Sequence, residues 1–275
     1  MNSVSKKQRQ EKILSELWVK NYVTIDRLAF DLGVSDITIR RDLDELNKKG
    51  KLQRIWGGAS LPNLKGSEPP VLQRQLEQVE EKSAIAKKAL EYINDGEVIG
   101  LESGSTTLKL AEKIAGSRTW KNLQVITNSF PIFEKLFKVE GVFMIFIGGI
   151  VDANEMCTAG SLSVDNLKSL RIDKFFCGCR GIDAKFGRSS DKHAAFEINT
   201  IQTFSDASAQ IFVLADHTKF NTTFMFQLLP ISKIDVVITS DLVPPNIIME
   251  FTREGVEIIQ APFKATGTRE GNPLI

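Results

Sequence analysis

A run of hydroxyl side chains follows one short apolar segment of the chain and has the composition of an anion-binding loop. Glu102 and the loop Ser103-Gly104-Ser105-Thr106-Thr107 come after residues 98–101 and before a helical pattern that begins at Leu108. Backbone N–H groups at a helix N-terminus attract a negative charge such as a phosphate. We therefore predict that residues 103–107 bind phosphate and that Glu102, at the rim, hydrogen-bonds a sugar hydroxyl. The alternative is a Ser/Thr-rich cap that only satisfies the helix donors.

Three further polar loops, each directly after an apolar segment, extend this predicted site. They contribute Asn128, Gly148, Gly149, Asp216 and Lys219. Glycines let the backbone approach a ligand closely, and Lys219 either pairs with Asp216 or binds an anionic ligand. Taken singly, each loop is typical of turn chemistry. Four such loops at one edge of a sheet favour a ligand pocket.

The elements that must position these loops are visible as seven short apolar segments separated by helical stretches. The segments are residues 98–101, 123–127, 142–147, 172–177, 210–215, 235–239 and 256–260. Unbroken apolar strands alternating with helices indicate a mostly parallel sheet covered on both faces. Such sheets bind ligands at the carboxyl ends of their strands. The predicted fold class of this part is therefore α/β, with a long amphipathic helix over residues 72–93 before the first strand.

A second constellation near the start of the chain is typical of DNA binding. Helical patterns over residues 6–19 and 24–32 are followed by a break at Gly33 and by a third helix that Ser35 caps. Ile39, Leu43 and Leu46 form the apolar stripe of that helix. A basic hairpin over residues 51–58 follows, so the sequence predicts a winged helix-turn-helix.

The predicted DNA contacts lie at the start of the third helix and on the hairpin. We expect Ser35, Thr38 and Arg41 to contact bases or the adjacent phosphates, because residues near the N-terminus of such a helix meet base edges. Arg40, Lys51 and Arg54 are expected to contribute mainly electrostatic contacts to the DNA backbone. The alternative for these cations is an ordinary solvated face.

The charge distribution agrees with a DNA-binding head on a separate body. Residues 1–60 hold 12 Lys/Arg and 8 Asp/Glu, whereas the whole chain is nearly balanced at a net charge of +1. We predict a winged helix-turn-helix domain at residues 1–60, a linker at 61–71, a sensor domain at 72–262 and a disordered tail at 263–275. No apolar run approaches the ~20 residues of a membrane helix, so no membrane partner is expected.

The cysteine and histidine content argues against disulfides and a metal centre. There are three cysteines (Cys157, Cys177 and Cys179) and two histidines (His193 and His217) in the chain. An odd cysteine count without a leader pattern is typical of a reducing cytoplasm. We predict a cytoplasmic protein with no metal site, no cofactor and no catalytic residue.

The chain resembles the DeoR family of bacterial transcriptional regulators from about Lys7 to Gln260. The head matches over residues 34–43, at Leu46, Gly50 and Arg54 and over 57–59. The body matches at Glu81-Lys82, Ile85-Ala86, 104–107, 127–129, 148–149, 181–183, Glu197 and 216–220. Three positions depart from the family pattern: Trp56 stands where His is usual, Glu102 replaces Asp, and Ile201 occupies a position where Lys is common.

The resemblance implies a sensor domain similar to ribose-5-phosphate isomerase and coenzyme A transferases. It also implies a phosphorylated sugar or related metabolite as effector, and repression of a carbohydrate catabolism operon. Two-fold operators require at least a homodimer, and a homotetramer is equally compatible. We predict that the effector rearranges the two heads through the linker and the helix at 72–93. The rival interpretation is a sugar-phosphate isomerase with an attached DNA-binding domain, and the sequence does not separate a repressor from an activator.

Overall fold

The computed structural model describes residues 5–20, 22–55, 57–60, 71–117 and 120–263. Trp56, residues 61–70 of the predicted linker and residues 264–275 of the predicted tail lie outside this part. The chain divides into two compact units. Unit 1 holds the described residues up to Glu77 together with 153–155, and unit 2 holds 78–152 and the described residues from Met156 onward.

Unit 1 contains four helices and a small antiparallel sheet. Its elements are α1 (Lys6–Lys20), β1 (Tyr22–Thr24), α2 (Ile25–Leu32), α3 (Asp36–Lys48), β2 (Gln53–Ile55), β3 (Gly58–Ser60) and α4 (Val71–Arg74). The strand order is β1-β3-β2. Gly33 ends α2 at φ 63°, in the left-handed region, and Ser35 Oγ accepts the Thr38 N–H at 3.4 Å at the start of α3. The predicted winged helix-turn-helix is therefore confirmed.

The core of unit 1 forms where the apolar stripes of its helices meet. Ile13 and Leu17 from α1, Leu28 from α2 and Leu43 from α3 are all completely buried. Arg9 of α1 also forms an ion pair with Asp42 of α3, which is 1% exposed. Apolar packing and this ion pair both hold α3 by its inner face, which leaves its opposite face outside the core.

Unit 2 is built on strands and helices that alternate along the chain. Its elements are α5 (Val79–Leu90), β4 (Val98–Leu101), α6 (Ser105–Ala115), β5 (Leu123–Thr127), α7 (Phe130–Leu136), β6 (Val142–Phe146), β7 (Ile150–Asp152), β8 (Cys157–Ala159), α8 (Ser161–Leu167), β9 (Ile172–Gly178), β10 (Gly181–Asp183), β11 (Gly187–Ser190), α9 (Ile198–Asp206), β12 (Ser208–Leu214), β13 (Phe226–Leu229), β14 (Val236–Ser240), α10 (Pro245–Arg253) and β15 (Glu257–Ala261). Seven of the strands form one sheet in the order β15-β14-β12-β9-β4-β5-β6.

Every neighbouring pair in this sheet is parallel, which confirms the predicted α/β class. All seven predicted apolar segments are strands of this sheet. Two smaller antiparallel groups, β10-β11-β13 and β7-β8, complete the unit. An apolar core lies on each face of the sheet, which explains why the strands are continuously apolar. Phe175 of β9 stacks on Phe204 in one core, and Phe176 stacks on Phe212 in the other.

The prediction of one long helix over residues 72–93 is wrong. The chain forms α4 and α5 with a break between them, and Gln78 at the break has φ 49° and ψ 38°. A left-handed residue interrupts the i to i−4 hydrogen bonds, so a helix cannot continue through it. The two helices also belong to different compact units. The amphipathic pattern across the break did not indicate this interruption.

Candidate functional site

The order of strands in the large sheet creates a crevice beside β4. β5 and β6 follow on one side of β4, whereas β9 lies on its other side and leads on to β12, β14 and β15. In sheets of this kind, ligands bind outside the carboxyl ends of the strands at the point where the strand order reverses. Glu102 follows β4 and Cys179 follows β9, so these residues border that crevice.

The predicted phosphate loop lies at this point and leads directly into α6. Gly104 precedes the first residue of α6 and has no side chain to cap the helix. The first N–H groups of a helix, here those of Ser105, Thr106 and Thr107, have no intrahelical acceptors. Thr107 Oγ1 donates to the Gly104 carbonyl at 3.0 Å and is fully buried. The N-terminus of α6 therefore carries backbone N–H groups without intrahelical acceptors, while the Thr107 hydroxyl proton is already used. Anion binding there stays a prediction.

Glu102 is the most constrained of the predicted site residues because it forms a buried ion pair. Arg188 Nη2 donates to both Glu102 carboxylate oxygens, at 2.7 and 2.8 Å. Glu102 is 2% exposed and Arg188 is 5% exposed. Arg188 Nε and Nη1 are buried without a hydrogen-bond partner among the described residues. The pair therefore offers unused N–H donors beside the loop, whereas its carboxylate is already engaged.

Burial and pairing set the protonation states around this ion pair. Burial alone would lower the pKa of Arg188, but the negative charge of Glu102 outweighs it and raises that pKa above its usual value. The arginine therefore stays charged. Burial raises the pKa of the neighbouring Cys177 thiol far above its ordinary value. Cys177 is consequently a neutral thiol at physiological pH, without the thiolate that nucleophilic chemistry requires.

Asn128 joins the loop at residues 103–107 to β8. Its Oδ1 accepts the Ser103 N–H at 3.3 Å, and its Nδ2 donates to the Thr158 carbonyl at 2.8 Å. The side chain is almost fully buried, with 3% exposure. The structure thus gives Asn128 a role in positioning Ser103, and a direct contact between Asn128 and a ligand stays a prediction.

The two glycines after β6 differ in their surroundings. A Cβ added to Gly149 would lie 2.1 Å from Ser163 Oγ and 2.7 Å from the Ala159 carbonyl oxygen, so the backbone packs closely there against β8 and α8. A Cβ added to Gly148 would meet nothing within 4 Å, and the Gly148 carbonyl accepts the Ser163 hydroxyl at 2.9 Å. The close approach at Gly149 is therefore internal, and ligand contact by either glycine stays a prediction.

The Asp216 loop is a capped turn. Asp216 Oδ1 accepts the Thr218 N–H at 3.1 Å and also the Thr218 hydroxyl, and the segment His217–Lys219 is a single 3₁₀ turn. Of the two alternatives for Lys219, an ion pair with Asp216 does not occur in the part of the chain that the structure describes. Lys219 is half-buried, which leaves the second alternative, an anionic ligand, as a prediction.

Glu81 fixes this turn from the opposite side. The carboxylate is completely buried and accepts the His217 N–H at 2.8 Å and the Ser240 hydroxyl at 2.5 Å. His217 Nδ1 lies 2.8 Å from the other Glu81 oxygen. Glu81, Asp216 and His217 offer ligand atoms that all lie within 4.8 Å of one another. The Glu81 oxygens are engaged by these hydrogen bonds, so we assign the cluster to anchoring α5 on the turn.

Sequence reasoning did not find Arg188 or assign a role to Glu81. Arg188 lies in the polar segment of β11, yet every residue of that strand is buried. A charged residue in a buried strand needs a partner, and this requirement is the signal that the sequence carries. The sequence alone did not identify that partner, because Glu102 lies 86 residues away along the chain. A second ion pair missed in the same way joins Arg180 to Asp191, and the Arg180 guanidinium lies 4.2 Å from the centre of the Phe224 ring.

In unit 1, the predicted DNA-contacting residues at the start of α3 lie on its accessible side. Ser35, Arg40 and Arg41 are exposed, and Thr38 is half-buried with its hydroxyl 3.0 Å from Ser35 Oγ. The buried residues of α3 are Ile39, Asp42, Leu43 and Leu46. The two arginines are therefore available for contacts beyond the unit.

The two predicted wing cations have different surroundings. Lys51 is exposed. Arg54 Nη1 donates to the Gly58 carbonyl at 2.6 Å, and its Nε lies 2.9 Å from the Asp44 carboxylate of α3. Arg54 therefore joins the hairpin to α3, and any phosphate contact would be made by a guanidinium that is already engaged.

Two family models match the chain, one for each functional region. The model described as "DeoR-like helix-turn-helix domain" matches residues 9–64. The model described as "DeoR C terminal sensor domain" matches residues 77–241, which is more than half of the chain.

Curated relatives match along nearly the whole chain. The lactose phosphotransferase system repressor of Lactococcus lactis subsp. lactis is 32% identical over 252 residues, covering 91% of this chain and 97% of the relative. The glycerol-3-phosphate regulon repressor of Escherichia coli (strain K12) is 30% identical over 244 residues, covering 88% and 94%. The L-fucose operon activator of the same strain is 34% identical over 218 residues, covering 78% and 87%.

Among solved structures, ribose 5-phosphate isomerase from Plasmodium falciparum aligns with a TM-score of 0.37 and 21% identity, over 51% of this chain and 52% of that chain. Within the described residues, no helix has the length and apolar character needed to cross a membrane.

Proposed function

This chain belongs to the DeoR family of transcriptional regulators, and we propose that it represses a carbohydrate catabolism operon under the control of a phosphorylated sugar or related metabolite. The head binds double-stranded operator DNA, and the sensor unit binds the effector. The names of two relatives, which describe repressors of a lactose system and of a glycerol-3-phosphate regulon, support this assignment.

The N-terminus of α6, at the crevice beside β4, is the observation that supports a phosphorylated effector. Backbone N–H groups without intrahelical acceptors point out of that end, and the helix dipole adds a partial positive charge. A phosphate is the group that this arrangement favours. The unused Arg188 donors and the half-buried Lys219 supply further positive polar groups in the same unit.

We assign the site residues as follows. Residues 103–107 cradle the phosphate, and Asn128 holds Ser103 in place. Glu102 and Arg188 act together on the sugar part, where Arg188 supplies the free donors and Glu102 keeps the arginine oriented. Asp216 shapes the turn that carries Lys219. Gly149 lets the chain pass close to β8, and Gly148 contacts the ligand at the rim.

The DNA contacts follow from exposure on α3 and the wing. Ser35, Thr38 and Arg41 contact bases or the phosphates beside them. Arg40, Lys51 and Arg54 contribute contacts to the DNA backbone that fix the position of the head and carry no sequence information. The protein acts in the cytoplasm as a homodimer or homotetramer, since a two-fold operator requires two heads.

A thermal-shift screen with a matched pair of variants tests the effector site. The probes are pentose and hexose phosphates and the same sugars without phosphate, because ligand binding raises the unfolding temperature by mass action. We expect at least one phosphorylated sugar to raise the Tm and its free sugar to have no effect. Ser103→Asp places a negative charge at the loop and should abolish this shift, whereas Ser117→Asp, beyond the C-terminal end of α6, should retain it.

If only unphosphorylated sugars raise the Tm, the phosphate assignment is wrong. If Ser103→Asp and Ser117→Asp respond alike, the ligand does not bind at the N-terminus of α6. Both variants should have unfolding temperatures close to that of the wild type without ligand, which checks that the fold is intact.

The alternative enzyme function requires turnover. The engaged carboxylate of Glu102 is a poor general base because both of its oxygens accept hydrogen bonds from Arg188. We therefore propose that the chain is not an enzyme. Incubation with pentose and hexose phosphates, followed by chromatography for isomerised products, tests this, and product formed in proportion to protein would establish the alternative.

Activation is a second candidate because one relative is named an operon activator. The sign of regulation depends on where the operator lies relative to the promoter. A transcription assay with the purified chain and its target promoter separates the two, since a repressor lowers the transcript yield and an activator raises it.

A further inference from the structure

Ile37 is an apolar side chain on the face of α3 that lies opposite the core of unit 1. It is 63% exposed, whereas Ile39, two residues later, is completely buried. At 3.6 residues per turn, these two positions point about 160° apart around the helix. Ile37 therefore projects away from the residues that hold α3 in its unit.

A single exposed isoleucine on a protein surface is common and by itself requires no function. The composition of this helix face adds the relevant information. Within α3, Ile37 is the only apolar residue outside the buried stripe of Ile39, Leu43 and Leu46. The exposed positions that follow it along α3 are polar, beginning with Arg40 and Arg41.

Its position in the first turn determines what Ile37 would meet in a major groove. Side chains near the N-terminus of a recognition helix contact base edges, whereas contacts to phosphates carry no sequence information. The 5-methyl group of thymine is the apolar feature of the major groove. An isoleucine side chain matches that feature, since it has no hydrogen-bonding group to pair with the other base-edge atoms.

We propose that Ile37 reads the 5-methyl group of one thymine in each operator half-site. This inference rests on the proposed DNA-binding function and extends it to a specificity-determining residue. Arg40 supplies affinity that is largely independent of sequence, and Ile37 adds discrimination at one base pair. The contact is apolar, so it should be insensitive to salt, in contrast to contacts with phosphates.

Replacing thymine by uracil removes only the methyl group and therefore tests the contact directly. The probe is a duplex selected by the full-length chain from random sequence, with uracil introduced at one thymine position at a time. For the wild type we expect one position in each half-site to weaken binding about fourfold, the effect of about 0.8 kcal/mol for one buried methyl group. Ile37→Ala should weaken binding to the thymine duplex at least as much, and uracil at that position should then have no further effect.

Phe30→Ala is the matched control, because Phe30 is another exposed apolar residue of the same unit, at 87% exposure, and lies on α2. It should show no coupling with any thymine. Ile37→Ala should keep the wild-type salt slope and the wild-type Tm, since the side chain is exposed. Wild-type affinity of Ile37→Ala, or additive effects with uracil at every position, would overturn the proposal.

The experiment distinguishes failure of the proposed DNA-binding function from failure of the proposed role of Ile37. A chain that selects no duplex contradicts the DNA-binding function, and the reading of thymine by Ile37 then falls with it. A chain that selects a duplex but shows no coupling between Ile37 and any thymine contradicts only the role of Ile37.

Discussion

At the residue scale, Glu102 and Arg188 are two opposite charges held out of water beside the loop that precedes α6. Removing one member of a buried pair leaves an uncompensated charge, whereas replacing both by apolar residues removes the desolvation cost as well. Glu102, which the family resemblance marks as a departure from the usual Asp, has Arg188 as its partner.

We therefore expect Glu102→Leu and Arg188→Leu each to lower the free energy of unfolding by about 3–5 kcal/mol. The double variant Glu102→Leu/Arg188→Leu should lose clearly less than the sum of the two single variants, because neither charge is left alone. Urea denaturation of the four proteins measures the coupling in a double-mutant cycle.

Asp165→Asn provides the control, because Asp165 pairs with Lys168 in an exposed ion pair. Its effect should stay below about 1 kcal/mol. Strictly additive effects at Glu102 and Arg188 would show that the two side chains do not stabilise each other.

At the element scale, the sequence predicted those elements whose periodicity is set by burial. The inner strands of the large sheet are largely buried and its edge strands, β6 and β15, are partly exposed, yet all seven appear in the sequence as short apolar runs. Ser35, Gly33 and the apolar stripe of α3 likewise identified the helix-turn-helix. The break between α4 and α5 was missed because it depends on left-handed backbone at Gln78, a residue type that does not favour it. The ion pairs Glu102–Arg188 and Arg180–Asp191 were missed because spacing along the chain does not show which charged residues the fold brings together.

The left-handed backbone at Gln78 leads to a stability prediction. A non-glycine residue in this region costs roughly 1–2 kcal/mol, so Gln78→Gly should raise the free energy of unfolding by up to about 1 kcal/mol after the entropy of glycine is included. Glu91→Gly is the matched control, because Glu91 has φ −64° and should lose stability instead. Thermal denaturation of both variants checks the signs, and a loss of stability in Gln78→Gly would contradict the strained backbone.

The outer face of α3 leads to a second prediction at this scale. Arg40 is exposed on the helix that carries the DNA contacts. If it contacts a phosphate, Arg40→Ala should reduce the slope of log K against log salt by about one and weaken binding to all sequences alike. Arg27→Ala on α2 is the control for this variant, because Arg27 Nε already lies 3.5 Å from the Asp31 carboxylate. An unchanged slope in Arg40→Ala would remove Arg40 from the DNA-binding surface.

At the scale of the whole molecule, the chain combines a DNA-binding unit and a sensor unit. A ligand shifts such a system only if it prefers one arrangement of the protein over another. We propose that effector binding at the N-terminus of α6 alters how two heads are presented to a two-fold operator. The coupling would pass through residues 61–78, which contain the predicted linker, α4 and the break at Gln78.

The measurement that tests this account most directly is the affinity of the full-length chain for its operator with and without phosphorylated sugars. Fluorescence anisotropy with a selected duplex should show that one phosphorylated sugar changes the Kd at least about fivefold, the lower end of typical allosteric coupling, while the free sugar has no effect. Ser103→Asp should bind the duplex with wild-type affinity and lose the response. An equal Kd with and without every pentose and hexose phosphate tested would contradict the metabolite switch.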